Sequence, residues 1–380
     1  MTRPVLLAVD GNSMLHRAYH AGADAAQRTR DGRPSWAING LISALLAAVS
    51  RVGPQAIVVG FDDHGASVRK NDHPHYKAGR PEKPAELVEQ IAGAITTLRA
   101  AGIHVVVPAG LEADDVIASA SRTAARADWD CVIVTSDRDS FALIDEHTCV
   151  LRVLNGGIAG SPMLSPSRLM MMYGVNPAQY RDYAAMRGDT SDNLLGIRGI
   201  GQKTAARILQ VYGSTATAFA AVDTDLAGVC ETLGRSVAVK LADLDRRAAF
   251  AVTSEIMTMR ADLDLGLELE VDNGRGRLPV PTEPLKAVLT EWGFHTVLAQ
   301  ARRLFCDEPI QQTRVQIDPN EGLDLPFGEP PDIEYDDIDP YIGAAGVPGQ
   351  LETVTPVERI GAGRSKPAAV APVQLELTLF

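Results

Sequence analysis

The sequence predicts an α/β protein with a parallel β-sheet, helices on both faces of the sheet, and a mostly helical region that follows it. Three observations support this fold class. The first 150 residues alternate short apolar runs with helical patterns, residues 165–305 show mainly helical patterns, and periodicity ends near residue 307. No apolar run approaches the ~18 residues that a membrane helix needs, so a membrane protein is excluded.

Short runs rich in β-branched residues are typical of buried strands, and helical spacing separates them. The predicted strands are Val5–Val9, Ala56–Phe61, Ile103–Val107 and Cys131–Thr135. The predicted helices lie at about 37–49, 85–100 and 113–125. Strands that alternate with helices indicate βαβ units, in which neighbouring strands run parallel.

Composition divides the chain into segments. We expect a sheet domain over residues 1–164 and a helical region over 165–306. From residue 307 proline, glycine and acids become frequent, which predicts a disordered linker over 307–372. Apolar residues return in 373–380.

The net charge of −12 at first argues against nucleic acid as a partner. However, residues 307–341 hold eleven acids and one arginine, so this segment carries −10 of the total. The four cysteines include no CxxC pair, so neither a zinc site nor a disulfide framework is indicated. A reducing cytoplasm is therefore the expected location.

Acidic residues follow the predicted strands where each strand ends. Because the carboxyl ends of parallel strands meet at one edge of a sheet, these acids are expected to converge. Asp189 and Asp192 are three residues apart, a spacing that places both on one face of a helical turn. The predicted cluster comprises Asp10, Asp62, Glu112, Asp114, Asp115, Asp137, Asp139, Asp189 and Asp192.

Converging carboxylates repel one another, and Mg²⁺ or Mn²⁺ is their natural partner because both ions prefer oxygen ligands. Two such ions ~3.5–4 Å apart can activate a water and stabilise the leaving oxygen of a phosphodiester. Each acidic group alone also fits a helix N-cap or a solvated face. Five groups together favour a metal site.

Six motifs resemble the 5′ nuclease family, which comprises bacterial 5′–3′ exonucleases, the N-terminal domain of DNA polymerase I, and flap endonucleases. The similarity covers about residues 4–300 and implies a PIN-like (Rossmann-like) sheet and a helix-hairpin-helix. The motifs are DGNSMLHRAYHA (10–21), FDD (61–63), HYKAGRPEKP (75–84), LEADDVIA (111–118), TSDRD (135–139) and GDTSDNLLGIRGIGQKTA (188–205).

The resemblance also implies roles for individual residues. Asp10, Asp62, Glu112, Asp114 and Asp115 would serve a first metal, and Asp137, Asp139, Asp189 and Asp192 a second one. Lys77 and Arg80 match the family's YKxxR element and would face the scissile phosphate, with Arg17 also near it. These three cations are the predicted catalytic side chains.

Two segments are predicted to contact DNA. The first is basic and includes Arg69, Lys70, Tyr76 and Lys83, and an aromatic ring among cations suits stacking on an unpaired base. By resemblance it belongs to a helical arch at about 64–95. The second is the helix-hairpin-helix at about 188–212, where the family holds a K⁺ ion; its predicted DNA contacts are Arg198, Gly199, Gly201, Lys203 and Thr204.

The resemblance implies a monomeric bacterial enzyme that acts at the nucleoid on DNA with a 5′ flap, a nick or a free 5′ end. The terminal residues Gln374, Leu375, Leu377, Leu379 and Phe380 resemble the peptide by which replication proteins bind the sliding clamp. Two alternatives stay open: a PIN-like ribonuclease, and a DNA-junction binding module with weak or no catalysis.

Overall fold

A single β-sheet in the computed structural model organises the part of the chain that the structure describes, residues 3–306. Its strands are β1 (Val5–Asp10), β2 (Ala56–Gly60), β3 (His104–Val106), β4 (Asp130–Thr135), β5 (Thr148–Arg152) and β6 (Met163–Leu164). They are ordered β3-β2-β1-β4-β5-β6, and only β6 pairs in the antiparallel direction. The predicted parallel sheet is confirmed. The sequence reasoning did not identify β5 and β6.

Helices cover both faces of this sheet. Those of the first half are α1 (Gly11–Ala21), α2 (Trp36–Val52), α3 (Val68–Asp72), α4 (Ala85–Ala100) and α5 (Ala113–Arg126). The helices that follow are α6 (Pro166–Tyr173), α7 (Pro177–Arg187), α8 (Gln202–Tyr212), α9 (Thr215–Thr224), α10 (Leu226–Leu233), α11 (Arg235–Ala242), α12 (Leu244–Ile256), α13 (Thr282–Glu291) and α14 (His295–Phe305). A short hairpin of β7 (Gly188–Asp189) and β8 (Leu194–Leu195) precedes α8.

Successive side chains of β1 point to opposite faces of the sheet, and each face contributes to a different hydrophobic core. Leu6 and Ala8 face the core formed with α5 and the helical region, and Leu7 and Val9 face the core formed with α2, α4 and the last two helices. All four side chains are fully buried. A strand buried on both faces in this way is typical of a parallel sheet, which explains why the strands were visible as apolar runs.

The predicted helical arch at about 64–95 takes a different form in part of its length. Residues 85–95 belong to α4, whose Leu87, Ile91 and Ala94 are buried in the second core. The segment before α4 contains only the five-residue α3 followed by turns and irregular backbone. The basic segment therefore lies on the body of the protein between β2 and α4.

Two further predictions concern regions at the limits of the structure. The linker over 307–372 and the clamp-binding peptide over 373–380 lie outside the described residues. Within residues 3–306, no helix combines the length and apolar character that crossing a membrane requires.

Candidate active site at the carboxyl edge of the sheet

The three central strands bring acids together at one edge of the sheet. The register pairs Asp10 with Gly60 and Val9 with Val134, so β1, β2 and β4 end at the same level. Asp62 then follows β2, and Asp137 follows β4. The predicted convergence of these carboxylates arises because parallel strands in register end side by side.

Asp10 lies at the centre of this edge and is only 4% exposed. One carboxylate oxygen accepts a hydrogen bond from the Ser13 amide (2.9 Å), which caps α1, and the other accepts one from Thr135 Oγ1 (2.8 Å). These two hydrogen bonds do not offset the free-energy cost of burying the charged form of Asp10. Burial, with further repulsion from Asp62 and Asp137, raises the pKa of Asp10 to about 7.

Further acids extend the cluster beyond β1. Burial raises the pKa of Asp114 well above its ordinary value, and the charges of Asp137 and Asp10 raise it further. Burial does the same to the pKa of Asp139, with added repulsion from Asp137 and Asp189. Each acid thus opposes ionisation of the next, which makes the edge a strong attractor for a cation.

Cationic side chains of the protein form salt bridges with only some of the clustered acids. The salt bridges within residues 3–306 involve Glu112, Asp115 and Asp192, but none of the other six predicted ligands. These oxygen donors suit a hard divalent cation. No three His, Cys, Asp or Glu side chains in the same range are grouped closely enough to hold one ion.

Lys77 and Arg80 occupy the cluster's outer side, where they bind acids. Lys77 Nζ is 3.2 Å from Glu112 Oε2, and Arg80 Nη2 pairs with Asp192. The Lys77 amide also donates to the Asp192 carbonyl oxygen (2.9 Å). Burial alone would lower the pKa of Lys77, but attraction to Glu112 and Asp192 helps to raise it well above its ordinary value. Glu112 and Asp192 therefore favour the protonated form of Lys77.

Asp115 differs from the other predicted metal ligands because one arginine binds both of its carboxylate oxygens. Arg69 binds it in a bidentate pair at 2.7 and 2.8 Å, and the amides of Arg260 and Glu112 donate to it at 2.8 and 3.1 Å. Its side chain is fully buried. Asp115 thus links α5 to α3 and to the segment that follows α12, and its role as a metal ligand stays a prediction.

Two predicted DNA contacts are likewise engaged inside the protein. Arg69 binds Asp115 and the carbonyl oxygens of Ile256 and Thr258, and only 13% of its side chain is exposed. Tyr76 is buried in the first core, and its hydroxyl donates to Glu112 Oε2 at 3.1 Å. Stacking of the Tyr76 ring on a base would require this buried ring to move, and it stays a prediction.

The other predicted cations are more accessible. Lys70 is exposed, and Lys83 is half-buried near Asp62, with a pKa that burial lowers. Arg17 donates to Asn155 Oδ1 at 3.3 Å, and burial lowers its pKa. The roles of all three in catalysis or DNA binding stay predictions.

The predicted helix-hairpin-helix forms a turn that leads directly into α8. Gly199 adopts a φ of +85°, and Gly201 is the N-cap residue of the helix. Arg198, Gly199, Gly201 and Lys203 are exposed, and Thr204 is partly buried in the first turn of α8. Asp189, in β7 just before this turn, accepts bonds from the Ser191 amide and hydroxyl (2.8 and 2.7 Å).

Several residues at this site make contacts that the sequence motifs do not predict. Thr135 supports Asp10, and Asp63 accepts from the amides of Gly65 and Gly110 at 2.8 and 2.7 Å. Lys240 and Arg246 contact the turn before α8 although they lie about 40 residues later in the chain. Only the tertiary structure shows these contacts, because no local spacing connects the partners.

A parallel sheet whose strands end in clustered acids, beside a cationic segment, defines an α/β protein of the nuclease class. Family models agree: the 5′–3′ exonuclease N-terminal resolvase-like domain matches residues 5–174, and the 5′–3′ exonuclease C-terminal SAM fold matches residues 175–275. The chain belongs to the 5′–3′ exonuclease family, whose members are nucleases.

Individual relatives agree with this family. DNA polymerase I of Mycobacterium bovis is 34% identical over 263 residues, which are 68% of this chain and 29% of that protein. Across the first polymerase relatives, the chain spans between 23% and 36% of their length.

Two solved structures are similar to this chain at low identity, and the first of them shares its fold. The catalytic core of Rad2 in complex with a DNA substrate has a TM-score of 0.53 and 14% identity, covering 81% of this chain and 93% of that one. The T5 5′-exonuclease with bound zinc has a TM-score of 0.47 and 16% identity, covering 67% and 98%.

The contacts of Asp115 lead to a prediction about stability. Asp115→Asn should lower the free energy of unfolding by about 3 kcal/mol, because the largely buried Arg69 loses its bidentate partner and keeps only the longer contact with Glu112 at 3.6 Å. Urea unfolding monitored by circular dichroism measures this change. The control is Asp262→Asn, which removes an acid that pairs with Arg260 at the exposed surface and should leave the unfolding midpoint almost unchanged.

A different outcome would support the metal-ligand assignment. If Asp115→Asn unfolds at the same urea concentration as the wild type but loses Mg²⁺ binding, Asp115 binds metal and the anchoring role is incorrect.

Proposed function

We propose that the protein is a divalent-metal-dependent 5′–3′ exonuclease and structure-selective flap endonuclease. It would hydrolyse phosphodiester bonds in DNA near 5′ ends during replication or repair. One observation carries the proposal: at the carboxyl edge of the sheet, Asp10, Asp114 and Asp139 have pKa values raised by burial and by neighbouring acids, and none of the three has a salt-bridge partner within residues 3–306. That arrangement suits a hydrolytic site that works on a polyanion only when divalent ions are bound.

The donor set fits Mg²⁺, for which Mn²⁺ can substitute. The acids that would hold it are those without a salt-bridge partner among the described residues: Asp10, Asp62, Asp114, Asp137, Asp139 and Asp189. When bound, such ions supply a water of lowered pKa and stabilise the leaving oxygen. Glu112 and Asp192 are placed behind this group and carry the cations Lys77 and Arg80.

Lys77 and Arg80 are placed to exchange partners when DNA enters. Without substrate each cation binds an acid at the border of the cluster. A scissile phosphate brought to the cluster offers them a second anion, whose charge grows in the transition state. The high pKa of Lys77 makes it an electrostatic partner of the phosphate, and a proton transfer from Lys77 is not required.

DNA is the proposed substrate, with the turn at 196–201 and the start of α8 as its duplex-binding element. Exposed backbone amides at a helix N-terminus and the side chains of Arg198 and Lys203 suit phosphate groups without selecting a base sequence. The Rad2 core, which shares the fold, was solved in complex with a DNA substrate. Action as a monomer in the bacterial cytoplasm is part of the proposal.

A cleavage assay with three substrates tests this function. The full-length protein is incubated with a labelled 5′-flap DNA, an RNA hairpin and a linear duplex, with Mg²⁺ or with EDTA. We expect the flap to be cut and the duplex shortened from its 5′ end, in Mg²⁺ only. Cleavage of the RNA hairpin alone would favour a ribonuclease. Binding of the flap without any cleavage would favour a junction-binding module.

The position of Lys77 predicts a defect in rate. Lys77→Ala should lower the single-turnover rate on bound flap DNA by about 10²–10³-fold, because a preorganised charge beside the reacting phosphate is lost. Affinity for the flap should change much less. Lys286→Ala removes an exposed lysine from α13, which has no predicted DNA contact, and is the control. If Lys77→Ala weakens flap binding but cuts bound DNA at the normal rate, Lys77 contributes to binding only.

We also propose that the terminal peptide, residues 374–380, binds the DNA polymerase sliding clamp. The sequence supports this with a glutamine, leucines and a terminal phenylalanine after a long acidic segment, which supplies reach. Deleting 374–380 should abolish clamp binding in a pull-down but leave cleavage of a free flap unchanged. Equal clamp binding by the truncated protein, or a melting temperature lowered by several degrees, would contradict the proposal.

A further inference from the structure

The turn at residues 196–201, which we propose as the duplex-binding element, receives two cationic side chains from later helices. Lys240 in α11 donates from Nζ to the Gly199 carbonyl oxygen at 2.8 Å. Arg246 in α12 donates from Nη1 to the Arg198 carbonyl oxygen at 3.1 Å. A Cβ atom at position 199 would lie 3.0 Å from Lys240 Cε, so glycine leaves the space that the lysine occupies.

The neighbouring carbonyl oxygens of the turn also have partners. That of Leu195 accepts from Thr253 Oγ1 at 2.7 Å, and that of Ile197 accepts from the Ile200 amide at 2.9 Å. The Gly201 carbonyl oxygen accepts from the Ala205 amide at 2.9 Å as α8 begins. Most of the backbone oxygens along this turn are therefore already engaged within the protein.

The K⁺ ion that the family resemblance implies does not fit this donor set. A monovalent cation binds where several carbonyl oxygens converge without another positive charge nearby. Here two adjacent carbonyl oxygens are bonded to an ammonium and a guanidinium group, and like charges at such short range repel strongly.

We propose that Lys240 and Arg246 are positioning residues that supply the positive charge of this turn from within the protein. They hold the backbone of residues 198–199 in its DNA-binding conformation, so duplex binding does not require K⁺. An ammonium group has three protons to donate, so the bond to Gly199 leaves Lys240 donors for a phosphate oxygen. This inference rests on the proposed binding of DNA by the turn.

Replacing the salt tests the absence of a K⁺ requirement. The melting temperature of the full-length protein and its Kd for a nicked duplex in EDTA are measured in KCl, NaCl and tetramethylammonium chloride at equal ionic strength. We expect the same melting temperature in all three salts and Kd values that agree within about two-fold, since only ionic strength matters. A higher melting temperature or several-fold tighter binding specific to KCl would overturn the inference.

Variants of Lys240 test its positioning role. Lys240→Met should weaken duplex binding by about three- to ten-fold and reduce the dependence of binding on salt, and Lys240→Arg should restore both. Lys286→Met in α13 removes the same charge at an exposed site and is the matched control. If Lys240→Met binds as tightly as Lys286→Met, the inference is wrong.

The two experiments separate this inference from the proposed function. The melting temperature is measured without DNA, so stabilisation by KCl would overturn the inference even if the flap is cleaved. A wild-type protein that binds no duplex would overturn the proposed function, and with it the role of Lys240 in binding.

Discussion

Repulsion among carboxylates at the carboxyl edge of the sheet is the constraint on which the rest of the site depends. The parallel register of the central strands fixes Asp10 beside the acids that follow β2 and β4. Burial keeps water from screening their charges, so the pKa of Asp10 rises to about 7 and that of Asp114 rises well above its ordinary value. The fold imposes this arrangement although it is unfavourable without a bound cation.

The surrounding segments limit this repulsion without removing it. Lys77 and Arg80 pair with acids at the border of the cluster, and Arg69 neutralises Asp115 beneath it. These pairs join the basic segment to α5 and to the hairpin before α8. The same cations that stabilise the metal-free protein are thus placed to meet a phosphate group. The same charged side chains therefore contribute to the stability of the fold and to the proposed chemistry of the site.

Much of the fold could be predicted because local patterns determine it. The apolar runs of β1, β2 and β4 and the helical spacing of α4 are visible in the sequence, and α4 has the predicted bounds of 85–100. In contrast, the ion-pair partner of a charged side chain depends on the tertiary structure. Asp115 and Arg69 fit their motifs, yet they bind each other. The contacts of Lys240 with the turn before α8 have no local pattern at all.

The melting temperature of the metal-free protein as a function of pH tests the central role of this repulsion most directly. A carboxyl group whose pKa is raised on folding destabilises the folded state as pH increases, by up to about 1.4 kcal/mol per pH unit. For Asp10, whose folded-state pKa is about 7, the informative window runs from pH 8.5 down to pH 6, because the folded state gains the proton there while the unfolded state stays ionised. Burial lowers the pKa of His16 to about 4, so this imidazole stays neutral in the same window. In EDTA the melting temperature should therefore rise as pH falls through this window. Mg²⁺ should raise it most at pH 8.5, and Asp10→Asn should reduce both effects. A melting temperature in EDTA that falls on acidification, or that Mg²⁺ leaves unchanged at pH 8.5, would contradict the account.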